Sequence, residues 1–313
     1  MPVSSASLLI IDPLTLMGRE LLQASERLAA LATIDFRHTA EDEEHQITEF
    51  AGHPALVPPL SPEDVLSDYD VVVVTSDASQ PRHEHITAHL ASNPGAALVD
   101  ANRIACLRDF CSPSLGRTMS ESRRLRPAHP ALVATSAVVE VLTPFSLLGG
   151  SLAVMDPVSC AGRPAIDRLA LQAGKRIQGA PVEDLIEEHV LAFNVVAVES
   201  DDLVEDAASL LPSLSLTVSR SVSGVFHGHL AHLGLTFGTQ VSVAEVVEAL
   251  SEATSIELCE LPLSLDSVPD HDRVLVAPPT VSPDGHQLLL TLMADGLRIG
   301  GSLTTLDILE TLI

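Results

Sequence analysis

The chain has 313 residues, 46% of them apolar, and sets 17 Lys and Arg against 42 Asp and Glu for a formal net charge of −25. The apolar share excludes a disordered chain, and the charge excludes general binding to nucleic acid, whose phosphates the acids repel. The most apolar stretch, "ALVATSAVVEVLTPFSLLGGSLAVM", is interrupted by Glu140, Pro144, Gly149 and Gly150, so it predicts a buried core and not a membrane span.

In chain order, "SLLII" reads as a buried strand and "GRELLQASERLAALA" as an amphipathic helix. "TIDF" is a second short strand, and "TAEDEEHQ" is an acidic loop. "DYDVVVVTSD" is a β-branched strand that ends in polar turn residues. "QPRHEHITAHLAS" predicts a helix with Pro81 near its start. "NPGAALVDAN" gives a turn and a strand, and "HPALVATS" one more strand. Strands alternating with helices predict an α/β, Rossmann-like, doubly wound parallel sheet over residues 1–136.

A second domain, α+β with a mainly antiparallel sheet, is predicted over residues 137–300. "VEVLTPFSLLGG" reads as helical up to its glycines. "SLAVMDPVSCAGRPAIDRLALQ" is a strand, a loop and a helix. "LTVSRSVSGVFHGHLAHLGLTFG", "VLVAPPTV" and "QLLLTLMADGL" read as long antiparallel strands, with "VSVAEVVEALSEA" a helix between them. The closing helix, residues 301–313, is predicted to dock back on the first domain.

The cysteines are Cys106, Cys111, Cys160 and Cys259, with no C-x-x-C pair and no repeated spacing. That predicts neither a disulfide framework nor a zinc site. No basic amino-terminal region precedes a small-residue cleavage site, so no signal peptide is expected, and a reducing cytoplasm is the simplest location. Two histidine pairs have metal-ligand spacing: His85 and His89 at i, i+4, and His227 and His229 at i, i+2, with His232 beyond. The first reads as a solvated helix face and the second as a strand feature, so no metal is expected.

In this order the elements resemble the aspartate-semialdehyde dehydrogenase family. "MGRELL" is similar to the end of its glycine turn, "ALVDAN" to the strand before its phosphate-contacting loop, and "PVSCAGRPAIDRL" to its V-S-G-A-G segment. "LAFNVV" matches an A-F-N-V stretch. "VFHGHLAHLGLTF" resembles the strand of the family's catalytic histidine, "LPLSLDS" its P-x-P-L-D region, and "ADGLRIGGSLTTLDILETLI" its closing helix. The resemblance implies an NADP-dependent oxidoreductase in which a cysteine thiolate at a helix start attacks the aldehyde. It puts Val138 at that nucleophile, Asp156 at a glutamine, Val222 at a substrate-binding arginine with Arg220 nearby, and Arg103 and Arg108 either side of Cys106 at a phosphate-contacting arginine. His229 falls at the acid–base position. The three glycines of the nucleotide turn read Asp12, Thr15 and Gly18, and a second turn reads "TSDAS", with Asp77 and Ala78. Glu41, Asp42, Glu43 and Glu44 crowd the place of a 2′-phosphate.

These substitutions predict a catalytically inactive homologue that binds a protein or a small molecule and needs no cofactor. The alternatives are an NADP-dependent dehydrogenase and a regulatory subunit of an active relative. A homodimer through the second-domain sheet is implied by the resemblance, with a heteromer as the variant of it. Asp12, followed by Pro13, is expected to cap the first helix. His229 reads as a structural histidine. Cys160 reads either as a buried, inert thiol or as a relocated nucleophile with His229 as its base.

Overall fold

The computed structural model describes residues 6–40, 44–61, 64–77, 83–116 and 122–313. Glu41, Asp42, Glu43 and Ala78 lie outside the described residues, as does the side chain of His85. The chain divides into two compact units, Met1–Ala128 with Gly301–Ile313, and His129–Gly300.

The first unit begins with β1 (Ala6–Ile11), α1 (Leu16–Gln23), α2 (Ser25–Leu31) and β2 (Ala32–Arg37). A small hairpin of β3 (Gln46–Phe50) and β4 (His53–Val57) follows. Then come β5 (Val71–Val74), α3 (His83–Ser92), β6 (Leu98–Asp100), β7 (Ser112–Ser114) and β8 (Arg124–Pro127). A six-stranded sheet runs β2-β1-β5-β6-β8-β7, all parallel. All of β5 is buried, as its unbroken valine run requires of a central parallel strand. Leu9, Ile11, Val72, Val74, Ile86, Leu90, Leu98 and Leu107 pack into one core.

The second unit holds α4 (Pro130–Leu142), β9 (Leu147–Asp156), α5 (Arg163–Ile177), β10 (Val195–Val198), α6 (Asp201–Leu210), β11 (Leu216–Ser223), β12 (His229–Phe237) and α7 (Val243–Ser251). It ends with β13 (Ile256–Leu258), β14 (Val274–Val276), β15 (Thr280–Val281) and β16 (Gln287–Ala294). Its sheet runs β10-β11-β9-β12-β16-β14-β13, with β15 on β16. β12 lies antiparallel between β9 and β16. The closing helix α8 (Leu303–Leu312) packs on β6, β8, α1 and α2 of the first unit.

The structure differs from the sequence reading in several places, the unforeseen β3–β4 hairpin among them. "HPALVATS" is not a strand but the start of α4, whose inward face of Ala131, Thr135, Val138 and Leu142 recurs at helical spacing. The division therefore falls at Ala128/His129, ahead of Ser136/Ala137, because α4 belongs wholly to the second unit. β9 already includes the glycines of "LLGG", so the helix does not run up to them. β11 is parallel to β9 and antiparallel only to β10, a parallel pairing within a sheet that is mainly antiparallel as expected.

Candidate functional site

In the first unit, β1 ends at Ile11 and the chain turns through Asp12 with φ 61°, a left-handed conformation that glycine, Asn and Asp tolerate best. The backbone at Asp12 thus takes up a conformation that glycine adopts most readily. Asp12 does not cap α1. Thr15 does, its hydroxyl accepting from the Gly18 amide at 3.0 Å and donating to the Thr75 carbonyl at 2.6 Å. The Asp12 carboxylate turns instead toward the ends of the neighbouring strands. It accepts from the Thr39 amide at 2.6 Å, from the Thr39 hydroxyl at 2.5 Å and from the Ser76 hydroxyl. Asp12, Thr39 and Ser76 are all buried. Gly18 remains for packing: a Cβ there would stand 2.6 Å from the Pro13 carbonyl.

The turn after β5 is held in a related way. Asp77 is buried and accepts from the Asn102 side-chain amide at 3.2 Å, and the same amide donates to the Ser76 carbonyl at 2.9 Å. Glu44 is exposed. Arg103 donates to the Ala128 carbonyl at 3.3 Å. Cys106 is exposed and Cys111 buried.

In the second unit the site is built on the end of β9. Asp156 is the last residue of that strand, and a short turn, Val158–Ala161, carries Ser159 and Cys160 to the start of α5. The Val158 and Ser159 amides donate to the Val225 and Phe226 carbonyls at 2.9 and 3.0 Å. These bonds tie the turn to the segment that leads into β12, whose first residue is His229. Cys160 Sγ lies 3.2 Å from His229 Nε2. The thiol is exposed, not buried as an inert core cysteine would be. His229 is buried, and its ring packs on the backbone at Gly296, where a Cβ would stand 2.1 Å from Cε1.

Asp156 is the hub. Arg220 Nε donates to Oδ2 at 2.6 Å, His129 Nε2 lies 3.2 Å from Oδ1, and His229 Nε2 lies 3.5 Å from Oδ1. Burial alone would raise this carboxyl, but the His129, His229 and Arg220 charges hold it well below the usual carboxylate range. His129 sits here because it caps α4: its Nδ1 accepts from the Ala131 amide at 3.2 Å, and Pro130 fills the first helical position. The His129 and His229 rings meet edge to face, centroids 5.4 Å apart.

The structure parts His227 from His229. His227 Nε2 meets Asp295 Oδ1 at 2.9 Å, and its Nδ1 meets the Ser159 hydroxyl at 3.2 Å. Burial would raise the Asp295 carboxyl, but His227 and the amides of Asp270 and Leu297 hold it low. His232 is exposed and faces Thr291. Val222 pairs with Asp156 across the sheet and packs on a core that includes Val158, Ala165 and Leu191. Arg220 is engaged by Asp156 and, at 3.6 Å, by Asp202.

Val138 needs correction. It is fully buried in the third turn of α4, whereas the resemblance calls for a nucleophile at the start of a helix. The first turn holds Ala131, Leu132 and Val133, none of which has a nucleophilic atom. Sequence reading missed His129 because it took "HPALVATS" for a strand. The His-Pro pair ahead of an apolar run was the available signal for a capped helix.

No family model matches the chain. The aspartate-semialdehyde dehydrogenase of Shewanella violacea is 26% identical over 198 residues, 56% of this chain and 58% of that protein. The enzyme of Mycolicibacterium smegmatis is 25% identical over 214 residues, 62% of this chain and 61% of that protein. The matched stretch thus spans less than two thirds of these relatives. Among solved structures, aspartate semialdehyde dehydrogenase II of Vibrio cholerae complexed with ASA superimposes with a TM-score of 0.82 at 17% identity, over 99% of this chain and 98% of that one. A probable aspartate-semialdehyde dehydrogenase of Pseudomonas aeruginosa gives 0.81 at 18% identity, over 98% of both chains. Among the described residues, no helix is long and apolar enough to cross a membrane.

Proposed function

We propose that this chain, a divergent member of the aspartate-semialdehyde dehydrogenase family, keeps the family's fold without its dehydrogenase chemistry and works as a homodimeric binding protein. The observation that carries this reading is the Asp12 turn. A dinucleotide's pyrophosphate needs bare backbone at a helix amino terminus. Here a buried carboxylate, held by the Thr39 amide and by the Thr39 and Ser76 hydroxyls, stands at the head of the turn and sets a negative charge beside it. Two like charges ~4 Å apart cost about 4 kcal/mol at an effective dielectric of 20, which is about a thousandfold in affinity. The residues present do not fit NADP. The start of α4 offers no nucleophile either, and Arg220, engaged by Asp156, is not placed to clamp a substrate carboxylate.

Support for the dimer comes from the second-unit sheet. One of its faces carries cross-strand rows such as Thr217–Ser151–Gly234–Leu289 and Ser219–Ala153–His232–Thr291. These rows hold no Asp, Glu, Lys or Arg, and Leu289 is 51% exposed. On a chain with net charge −25, an uncharged face is where a second copy can approach with least repulsion. The same face would serve a heteromer with an active relative. Free thiols at all four cysteines suit a reducing cytoplasm.

One observation favours a second reading, an enzyme with a relocated nucleophile: the exposed Cys160 thiol touches His229. A steady-state assay for NADPH formation from aspartate semialdehyde and phosphate separates the two. The proposal expects no turnover above background in the wild type and in Cys160→Ser alike. Turnover that Cys160→Ser abolishes would establish the enzyme. For the dimer, light scattering across a dilution series should report twice the chain mass, and Leu289→Asp should shift it to the monomer. A monomeric wild type at tens of micromolar concentration rejects that part.

A further inference from the structure

We propose that His129, Asp156, His229 and Cys160 form a binding site for a divalent transition-metal ion of borderline softness, Zn²⁺ foremost. All four residues belong to the second unit, so the inference stands apart from the turn at Asp12.

The first argument is the spacing of the donor atoms. Ligands about 2.0–2.3 Å from a tetrahedral Zn²⁺ stand roughly 3.3–3.6 Å from one another. His129 Nε2 lies 3.2 Å and His229 Nε2 3.5 Å from Asp156 Oδ1, and Cys160 Sγ lies 3.2 Å from His229 Nε2. The His129, Asp156 and His229 donors all fall within 4.8 Å of one another.

The second argument is an oxygen that lacks a donor. Asp156 Oδ1 is buried and accepts no hydrogen bond, although two ring nitrogens lie beside it. Buried polar atoms are normally satisfied. His129 Nε2 pairs with Oδ2 at 3.3 Å, so the oxygen without a donor is Oδ1 alone, and a cation between the two ring nitrogens would give it a partner.

The third argument is the support around these donors. Arg220 holds Oδ2, which His129 Nε2 also reaches at 3.3 Å, and Oδ1 is left for the ion, an arrangement in which the outer partner orients the carboxylate. The close approach of Gly296 fixes the His229 ring. At His129 the cap contact is informative. When Nε2 gives its lone pair to an ion, the ring proton moves to Nδ1. The Ala131 amide then loses the acceptor it has at 3.2 Å. Binding at the ion site should therefore be felt at the first turn of α4.

Two imidazoles, a thiolate and a carboxylate suit Zn²⁺ and disfavour Mg²⁺ and Ca²⁺, which take all-oxygen shells. Binding releases the thiol proton to solvent as the sulfur–metal bond forms. His129, Asp156 and His229 supply three donors within mutual reach. Cys160, which touches His229 but lies outside that group, completes the tetrahedral shell by turning its side chain toward the ion and leaves no position for a reacting water. The ion would thus act as a clamp that joins the end of β9, the Cys160 turn, the start of β12 and the start of α4.

The test is a Co²⁺ titration of the full chain after stripping with a chelator. The wild type should take up one Co²⁺ per chain, with the intense visible bands of tetrahedral cobalt and a thiolate-to-cobalt charge-transfer band. Equimolar Zn²⁺ should displace both, and Zn²⁺ should speed hydrogen exchange at the Ala131 amide. Cys160→Ser, at an exposed position that should fold normally, should lose the charge-transfer band. His129→Ala should weaken binding by more than about tenfold. Absence of tetrahedral bands in the wild type overturns the proposal. So does a charge-transfer band that persists in Cys160→Ser, since it would come from another cysteine.

Discussion

Asp12 and Asp156 are both buried carboxylates at the end of a strand, and each stands where the resembled family has a neutral residue, a glycine in one case and a glutamine in the other. Their surroundings decide opposite outcomes. Asp12 is met by the Thr39 amide and the Thr39 and Ser76 hydroxyls, all from the chain's own strand ends. Its acceptor capacity is spent internally. Asp156 is met by a guanidinium and two imidazoles, beside an exposed thiol, and one of its oxygens still lacks a donor. Nothing in the residue type separates the two. A buried acid closes a site when neutral donors satisfy it, and keeps chemistry in a site when titratable groups surround it.

The contrast predicts unequal costs of removal. Asp156→Ala strands Arg220 opposite two histidines, and should lower stability by about 3–5 kcal/mol, the usual cost of breaking a buried ion pair. Urea unfolding of the wild type and variant, with equal slopes, would measure it. A loss under 1 kcal/mol would mean that the hub is solvated. Asp12→Ala removes bonds to one carboxylate and leaves an Ala at φ 61°, so about 2–4 kcal/mol is expected. Asp12→Gly should recover part of that loss, because glycine accepts the conformation. If the two variants were equally unstable, the turn's backbone would not be held as described.

A third buried acid gives the opposite sign. Burial raises Asp100, at the end of β6, to about 7, against the pull of the Asn102 and Ile104 amides and of Arg103 and Arg126. Between about pH 4 and pH 7 the folded chain therefore keeps a proton that the unfolded chain releases. Stability should fall as pH rises through that window and level off above it. Asp100→Asn should flatten this contribution and stabilise the protein at pH 8 by about 1–3 kcal/mol. Paired melting curves at pH 5 and pH 8 would show it, and a larger gain at pH 5 than at pH 8 would reverse the assignment. The smallest expected effect is at Val138. Val138→Cys should give a buried thiol that iodoacetamide does not reach and no dehydrogenase turnover, whereas Cys160 alkylates in the metal-free protein.

Much of the fold was legible in the sequence, because local patterns carry it. The valine run of β5 and the alternation of strands with helices in the first unit are read from a few neighbouring residues. α4 was misread because its sequence is apolar on most sides and rich in Val, Thr and Ala, so no polar face marked its period. The sites were less legible, since their partners are remote in sequence. Thr39 and Ser76 converge on Asp12, and His129 and His229 on Asp156, only through strand order. Sequence reading expected a helix cap at Asp12 because Pro13 follows it. It did not foresee the cross-strand hydroxyls that compete for the carboxylate. It joined Cys160 to His229 only as one of two readings of the thiol. The turn that joins them follows from the Val158 and Ser159 amides pairing with Val225 and Phe226, a register that no spacing announces.

The central claim is that the buried carboxylate at Asp12 has removed dinucleotide binding. Isothermal titration of the wild-type chain with NADP⁺ and NADPH at modest salt tests it most directly. The account predicts no saturable heat up to millimolar nucleotide. A dissociation constant in the low micromolar range for either form would contradict it, because the buried Asp12 carboxylate would then be shown not to exclude the pyrophosphate.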